Sequence, residues 1–439
     1  MDSNPPKPKH DHGPLKFPEG FLWGAATSSY QVEGNNRYCD WWAWEQTRPP
    51  KYRCGMSCNQ YELYEKDFDL IKQLNHNAHR LSIEWSRIEP KEGQFDADEI
   101  EHYKKVLQTL KDQGVTVMLT LWHFTLPLWV AKQGGWENGK TTKYFERFVK
   151  KIVPEIADNV DLWVTINEPA VYIYETYIAR EWPNAKKSLV GQIKTFWNLT
   201  SAHKKVYKFL HQSFPAGKPV GIAQNVISFE PYHKHSIIEQ LAVILNDTLA
   251  NHLFYFFTKG THDFLGINYY FHSRFRHEGL VPETVGSQPQ THDVSDLGWE
   301  IYPEGIFDVL TDLSDDIPIY ITECGIATTN DDRRNRFLIA YLQEVNRAIK
   351  SGVNVRGFFY WSLLDNFEWQ RGFDPRFGLV EVDYLTFERR IRPSALVYTD
   401  IIQHNGIPHS LLRFIGHTVS ADEVLEKRYK EIIKEEPRI

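Results

Sequence analysis

Two glutamates stand where acid–base chemistry could be done. Glu168 closes the run Thr165-Ile166-Asn167-Glu168-Pro169, and Glu323 sits in Ile321-Thr322-Glu323-Cys324-Gly325. Each follows an apolar segment of strand length, so each carboxyl leaves a buried element, where an unpaired carboxylate is costly. Hydrolysing an acetal needs one group to protonate the leaving oxygen and one to stabilise positive charge at the anomeric carbon. Two carboxyls about 5 Å apart do this with retention through a covalent intermediate, whereas a gap of roughly 6.5–9.5 Å admits water and inverts. Taken alone, two strand-end glutamates are a modest signal, because most glutamates are solvated surface charges.

Other elements must bring these carboxyls together. Short apolar runs at 21–25, 78–83, 115–122, 162–166, 220–224, 264–268, 317–322 and 355–361 read as strands. Several are near-continuous, as burial on both faces demands. Between them, residues 61–74 place Leu63, Phe68, Ile71 and Leu74 at helical spacing, and 144–156 place Phe145, Phe148, Val149, Ile152 and Val153 on one helical face. Such alternation fits an α/β barrel or a doubly wound sheet. No G-x-G-x-x-G follows the first strand, which argues against a dinucleotide-binding sheet. Gln31, Arg80, His123, Asn167, Glu168, Tyr270, Glu323, Glu368 and Trp369 all fall at or just past the C-terminal end of a strand. A (β/α)8 TIM barrel gathers those ends around one pocket. The expected fold is therefore α/β, a single (β/α)8 barrel over 15–402, after a disordered lead-in (1–14) and before a C-terminal extension (403–439). In the extension, Ser420-Ala421-Asp422-Glu423 resembles a capping box. Val424, Leu425, Tyr429, Ile432 and Ile433 then predict a helix with one apolar side.

With 439 residues, 42% hydrophobic and 24% charged, and a net charge of −7, the chain has an ordinary globular composition and no basic nucleic-acid surface. No apolar run is long enough to cross a bilayer, and residues 1–14 lack the apolar core of a signal peptide. Cys39, Cys54, Cys58 and Cys324 form no disulfide framework. Cys54 and Cys58 have no further C-x-x-C pair or histidine at zinc spacing, so no metal site is expected. A reducing, cytoplasmic compartment follows as the expectation, with neither nucleic acid nor membrane as a partner.

Four separated motifs carry a resemblance: F-L-W-G-A-A-T-S-S-Y-Q-V-E-G near the start, T-I-N-E-P, I-T-E-C-G, and Y-W-S-L-L-D-N-F-E-W. In this order they are specific, and the chain resembles glycoside hydrolase family 1, the β-glucosidase family, from about Phe17 to Ile402. The resemblance implies a retaining mechanism on a (β/α)8 barrel, with no metal or cofactor required. It implies Glu168 as acid/base and Glu323 as nucleophile. Arg80 would contact Glu323 and favour its ionised form, while Glu168 would face that charge and hold its proton more tightly. Asn167 would bond the sugar 2-OH, and Tyr270 would orient Glu323 through its hydroxyl. Gln31, His123, Asn167, Glu368 and Trp369 would present donors and acceptors to the sugar hydroxyls, and Trp361 a flat face to the pyranose ring. An isolated tryptophan or histidine is more often a core residue; here the coinciding motifs favour the binding role.

Relatives acting on 6-phosphosugars place a serine near the position of Glu368 and a lysine nearby, so Glu368 favours an uncharged sugar. The substrate expected is a small β-glycoside or oligosaccharide, glucosides first, with β-galactosidase or β-fucosidase activity beside it. Transglycosylation is the runner-up among reactions, and a catalytically silent sugar-binding barrel is the alternative of another class. The chain departs from the family at Cys324, where asparagine is usual, and in a short stretch at 227–259 that would leave part of the barrel wall less covered. Segment mobility, packing by the C-terminal tail, or a bound flat ligand such as haem near Lys259 and His262, with Arg336 as a further cation, would answer that gap, the last being the least favoured.

Overall fold

The computed structural model describes residues 14–214, 217–277, 283–285 and 293–416. The lead-in (except Pro14) and the helix expected after Ser420 lie outside these described residues. Eight strands form the centre: β1 (Leu22–Ala26), β2 (Ala78–Ser82), β3 (Thr116–Thr120), β4 (Leu162–Asn167), β5 (Val220–Pro231), β6 (Phe264–Arg276), β7 (Ile319–Cys324) and β8 (Val355–Trp361). Each pairs in parallel with the next, and β8 pairs with β1, which closes the barrel.

Outside the strands run α1 (Gln60–Gln73), α2 (Ala97–Asp112), α3 (Lys140–Ile156), α4 (Leu189–Ser213), α5 (Ile237–Asp247), α6 (Leu253–Phe257), α7 (Glu304–Asp312), α8 (Asp331–Lys350) and α9 (Pro393–Gln403). Their starts follow local chemistry. The Asp96 carboxylate accepts from the Asp98 and Glu99 amides, and Asn330 accepts from Arg333 N, each satisfying helix donors that have no intrahelical partner. Phe145, Phe148, Val149, Ile152, Val153 and Ile156 form the buried stripe of α3. Such stripes join the outward side chains of the strands in one large core. A second cluster, with Ala78, Met118, Leu162, Phe264 and Phe359, contains strand residues and no residue of these helices, and fills the barrel interior.

Two strands are longer than the sequence suggests. The apolar runs end near Gln224 and Asn268, yet β5 and β6 stay paired to Pro231 and Phe275. The polar residues that interrupt the pattern are matched within the structure. His272 pairs with Glu230 at 3.2 Å and Glu300 at 2.9 Å, and Arg274 bonds Glu300. Phe229 stacks on Phe275 at 5.7 Å.

Residues 227–259, read as short cover, hold one helical run from α5 through a π turn (Thr248–His252) to α6. Phe254 anchors it in the core against Phe196 at 4.5 Å, and the rest of its fastening is polar. Asn251 accepts from Ile227 N at 2.9 Å and donates to Ile227 O at 2.8 Å. Tyr255 Oη donates to Gly266 O at 2.7 Å. Past Ile402 the chain stays with the barrel: Gly406–Ile407 pairs antiparallel with Leu15–Lys16, and α10 (His409–Gly416) packs on α8.

Candidate active site

Arg80 is buried inside the barrel and organises the site. It donates to Glu323 Oε1 at 2.5 Å, to Asn167 Oδ1 at 2.6 Å and to Thr120 Oγ1 at 3.2 Å, tying β2 to β7, β4 and β3. Tyr270 Oη donates to the other oxygen of Glu323 at 2.8 Å. Both oxygens of Glu323 are therefore held, one by Arg80 reaching across the barrel from β2 and one by Tyr270 on the adjacent β6. Cys324 beside it is buried in the outer core.

Glu168 has a different environment. Its Oε1 accepts from Asn268 Nδ2 at 2.7 Å and Asn225 Nδ2 at 3.5 Å, two neutral amides. Thr322 Oγ1 donates to Asn268 Oδ1 at 2.6 Å, which orients that amide so that its NH2 group serves Glu168. Glu168 adopts φ 44°, the left-handed region that a non-glycine residue occupies at a cost, and its N–H is fixed on Ala223 O at 2.7 Å. Phe124 and Trp369 also have positive φ, at 73° and 48°. The strained backbone thus recurs at three loops around the site.

Burial pushes the Glu168 carboxyl up to about 8, and the charge of Glu323 adds to the rise. Burial also raises Glu323, against the pull of the Arg80 guanidinium and the Tyr270 hydroxyl. Arg80 pulls Glu323 toward its ionised form as expected, and desolvation opposes that pull. Glu323 remains the more acidic of the two, because only it is bonded directly by a cation. Glu368, buried among the same groups, is pushed up to about 8, by burial and then by Glu323. Burial, then the Arg80 charge, hold His123 well below its usual value, so the ring is neutral.

The remaining expected residues converge here. Gln31 Nε2 donates to Phe367 O at 2.9 Å and reaches Glu368 Oε2 at 3.4 Å. The His123 ring lies nearly parallel to Trp361 (6.2 Å) and to Trp369 (6.1 Å). Asn167 Nδ2 meets His123 Nε2 at 3.3 Å, while His123 Nδ1 is buried without a protein partner. Trp369 is backed by Trp41 at 4.7 Å and by a parallel Tyr30 at 5.8 Å. A cavity of about 610 Å³ adjoins Gln370 and Arg371, lined also by Trp44, Arg48, Arg180 and Asp374.

Sequence reasoning gave Asn268, Asn225 and Thr322 no role. The available signal was position: each is a polar residue near the C-terminal end of a buried apolar run, like the residues that were chosen.

Elsewhere, Thr258 Oγ1 donates to Phe254 O at 2.5 Å and accepts from His262 Nε2 at 2.6 Å; His262 stacks on His203 at 4.8 Å, and its Nδ1 is buried. Nε2 of His262, the nitrogen that would have to serve any flat metal-bearing ligand here, is engaged by Thr258. Among the described residues, Asp247, His252 and Asp312 have metal-ligand spacing. There, hydrogen bonds to Asp247 and then Asp312 push His252 up to about 10.

The family model described as glycosyl hydrolase family 1 matches residues 14–256 and 251–407. A 1,4-beta-D-glucan glucohydrolase of Thermotoga neapolitana is 30% identical over 89% of this chain and 99% of its own length. A beta-galactosidase of Pyrococcus woesei is 28% identical over 89% of this chain and 98% of its own. Among solved structures, a beta-glycosidase from Pyrococcus horikoshii superposes with a TM-score of 0.87 at 41% identity, covering 92% of this chain and 99% of that one. The barrel, the buried carboxyl pair and these likenesses lead to one assignment: the chain belongs to glycosyl hydrolase family 1 and is a β-glycosidase acting on O-glycosyl bonds.

Proposed function

We propose that the protein is an exo-acting β-glycosidase for uncharged sugars, glucosides first, in which Glu323 is the nucleophile and Glu168 the acid/base. The observation that carries this reading is the asymmetry of the two buried carboxyls. Glu323 is bonded by Arg80 and Tyr270, which favour the carboxylate; Glu168 is bonded by amides and pushed up to about 8, so it holds a proton at neutral pH. In the first step a Glu323 oxygen bonds the anomeric carbon as the glycosidic C–O bond breaks, and Glu168 gives its proton to the departing oxygen. In the second step Glu168 takes a proton from water, whose oxygen displaces Glu323 from the same carbon. Two inversions retain the configuration.

Asn167 is held by Arg80 through its oxygen, which leaves its NH2 group to be shared between His123 and the sugar 2-OH. With Nε2 of His123 accepting from Asn167, Nδ1 carries the hydrogen. Glu368, when protonated, both donates and accepts, so with Gln31 it suits either epimer at C4. That supports galactoside cleavage beside glucoside cleavage. Trp361 supplies the apolar platform. No step in this scheme calls on a cofactor. A cytoplasmic setting is supported by four free, buried thiols.

The test is an NMR time course with an aryl β-glucoside. The β-sugar should appear first and mutarotate later; an α-sugar as first product would refute the nucleophile assignment.

A further inference from the structure

The outer face of the α5–α6 run is apolar. Of the eighteen large hydrophobic side chains exposed among the described residues, twelve lie in two segments, 189–197 and 232–256. Exposure is therefore concentrated, unlike the scattered exposed apolar side chains of an ordinary surface. Along the run, Ile237, Leu241, Ile244, Leu245, Leu249 and Phe256 are 50–72% exposed, at spacings that keep a helical stripe. The stripe extends for about 30 Å. Its end meets α4 through the aromatic contacts Phe256–Phe257 at 5.2 Å and Trp197–Phe257 at 4.8 Å. From Trp197, half exposed, the stripe continues along the first turns of α4 through Ile193, Val190 and Leu189.

Charge says what would cover it. Residues 182–260 contain nine lysines against three acidic residues, a net of +6 in a chain whose net charge is −7. Lys187, Lys194, Lys234 and Lys259 are exposed, Lys186 is paired with Glu137, Glu239 is buried, and Asp247 shares His252 with Asp312. A second copy of the chain would bring this cationic surface against itself in a two-fold interface, at a repulsive cost. An anionic lipid surface matches both features. Lysines meet headgroup phosphates while the apolar stripe enters the acyl boundary.

We propose that the α5–α6 run and the first turns of α4 dock the protein on the surface of an anionic lipid bilayer, without spanning it. Docking of this kind is distinct from insertion: no helix among the described residues is long and apolar enough to cross a membrane. The proposal does not depend on the roles given to Glu168 and Glu323, since it is read by binding alone.

The experiment is co-sedimentation of the full chain with vesicles of phosphatidylcholine plus phosphatidylglycerol, and with phosphatidylcholine alone. The chain should pellet with the mixed vesicles, less with the neutral ones, and less again as salt rises. Leu241→Glu with Leu245→Glu should lower partitioning at least about tenfold, since both apolar contacts are lost and two anions added. Lys234→Glu with Lys259→Glu should weaken binding to the anionic vesicles selectively. Leu385→Glu, at a leucine 92% exposed on the turn between Val380–Val382 and Arg389–Ile391, is the control and should leave binding unchanged. Unaltered circular dichroism checks folding in every variant. Failure of the wild type to pellet, or equal pelleting of the Leu241/Leu245 variant, would overturn the proposal. So would a wild-type dimer in solution that this variant dissociates, because the face would then belong to a second copy.

Discussion

Removing the charge of Glu323 should make Glu168 a stronger acid. Glu323→Gln keeps the shape and leaves Arg80 in place, so the change is chiefly electrostatic. Two unit charges about 5 Å apart, the spacing that retention requires, interact by roughly 3 kcal/mol at an effective dielectric of about 20. That corresponds to about two pKa units. Burial is the larger cause of the rise in Glu168 to about 8, and burial is untouched by the substitution. The Arg80 charge, no longer neutralised by Glu323, acts in the same downward direction. A fall of about one to two units is expected, stopping short of an ordinary glutamate. Carbon-13 NMR of side-chain-labelled glutamates reads this directly, with Glu168→Gln identifying the resonance. An unchanged Glu168 titration would mean that burial alone sets it. An upward shift would refute the electrostatic account altogether.

The wild-type rate should fall on the alkaline side as Glu168 loses its proton near pH 8, and on the acid side as Glu323 gains one, giving a bell in kcat/KM against pH. Glu168→Ala should slow glycosides with poor leaving groups far more than activated aryl glycosides, and azide should restore turnover; equal losses without rescue would remove Glu168 from the role. Tyr270→Phe deletes a bond to a charged acceptor worth about 1.5–3 kcal/mol, so kcat/KM should drop about 10–100-fold and the acid limb should move to higher pH. Asn251→Ala removes both bonds to the Ile227 backbone and should cost about 2–4 kcal/mol in a urea titration, with aryl-glucoside KM unchanged.

The barrel was legible because its strands are buried on both faces, and such strands must be apolar nearly throughout. Arg80, Glu168 and Glu323 stood out for the same reason: a charge at the end of an apolar run has to be matched. Asn268 and Asn225 carry no charge, so nothing in composition separates an amide that serves a carboxyl from one that ends a strand. Their importance arises from register, in which Asn225 lies beside Asn268 and Asn268 beside Glu323 on adjacent strands. Pairing between segments distant in sequence is not written in either segment alone. The extensions of β5 and β6 were hidden likewise, because Glu230, His272 and Arg274 look like loop residues until Glu300, from another part of the chain, completes their pairing.

The α5–α6 run shows the limit of periodicity most clearly. Ile237, Leu241, Ile244 and Leu245 have the spacing of a buried face, and a periodic pattern states only that one side of a helix differs from the other. Which side turns inward depends on what the barrel offers as a partner. At this wall the partners are the Gln224 side-chain amide, which donates to Ala250 O, and the backbone groups of Ile227 and Gly266, which are satisfied by Asn251 and Tyr255. Glu239 is likewise buried and accepts from the backbone N–H groups of His233 and His277. Hydrogen bonding to β5 and β6, with Phe254 in the core, therefore fixes the rotation of the helix, and the apolar stripe is carried outward. An outward stripe on a cationic corner is a property of the assembled fold, which is why the absence of a spanning segment in the sequence did not speak to docking at a lipid surface.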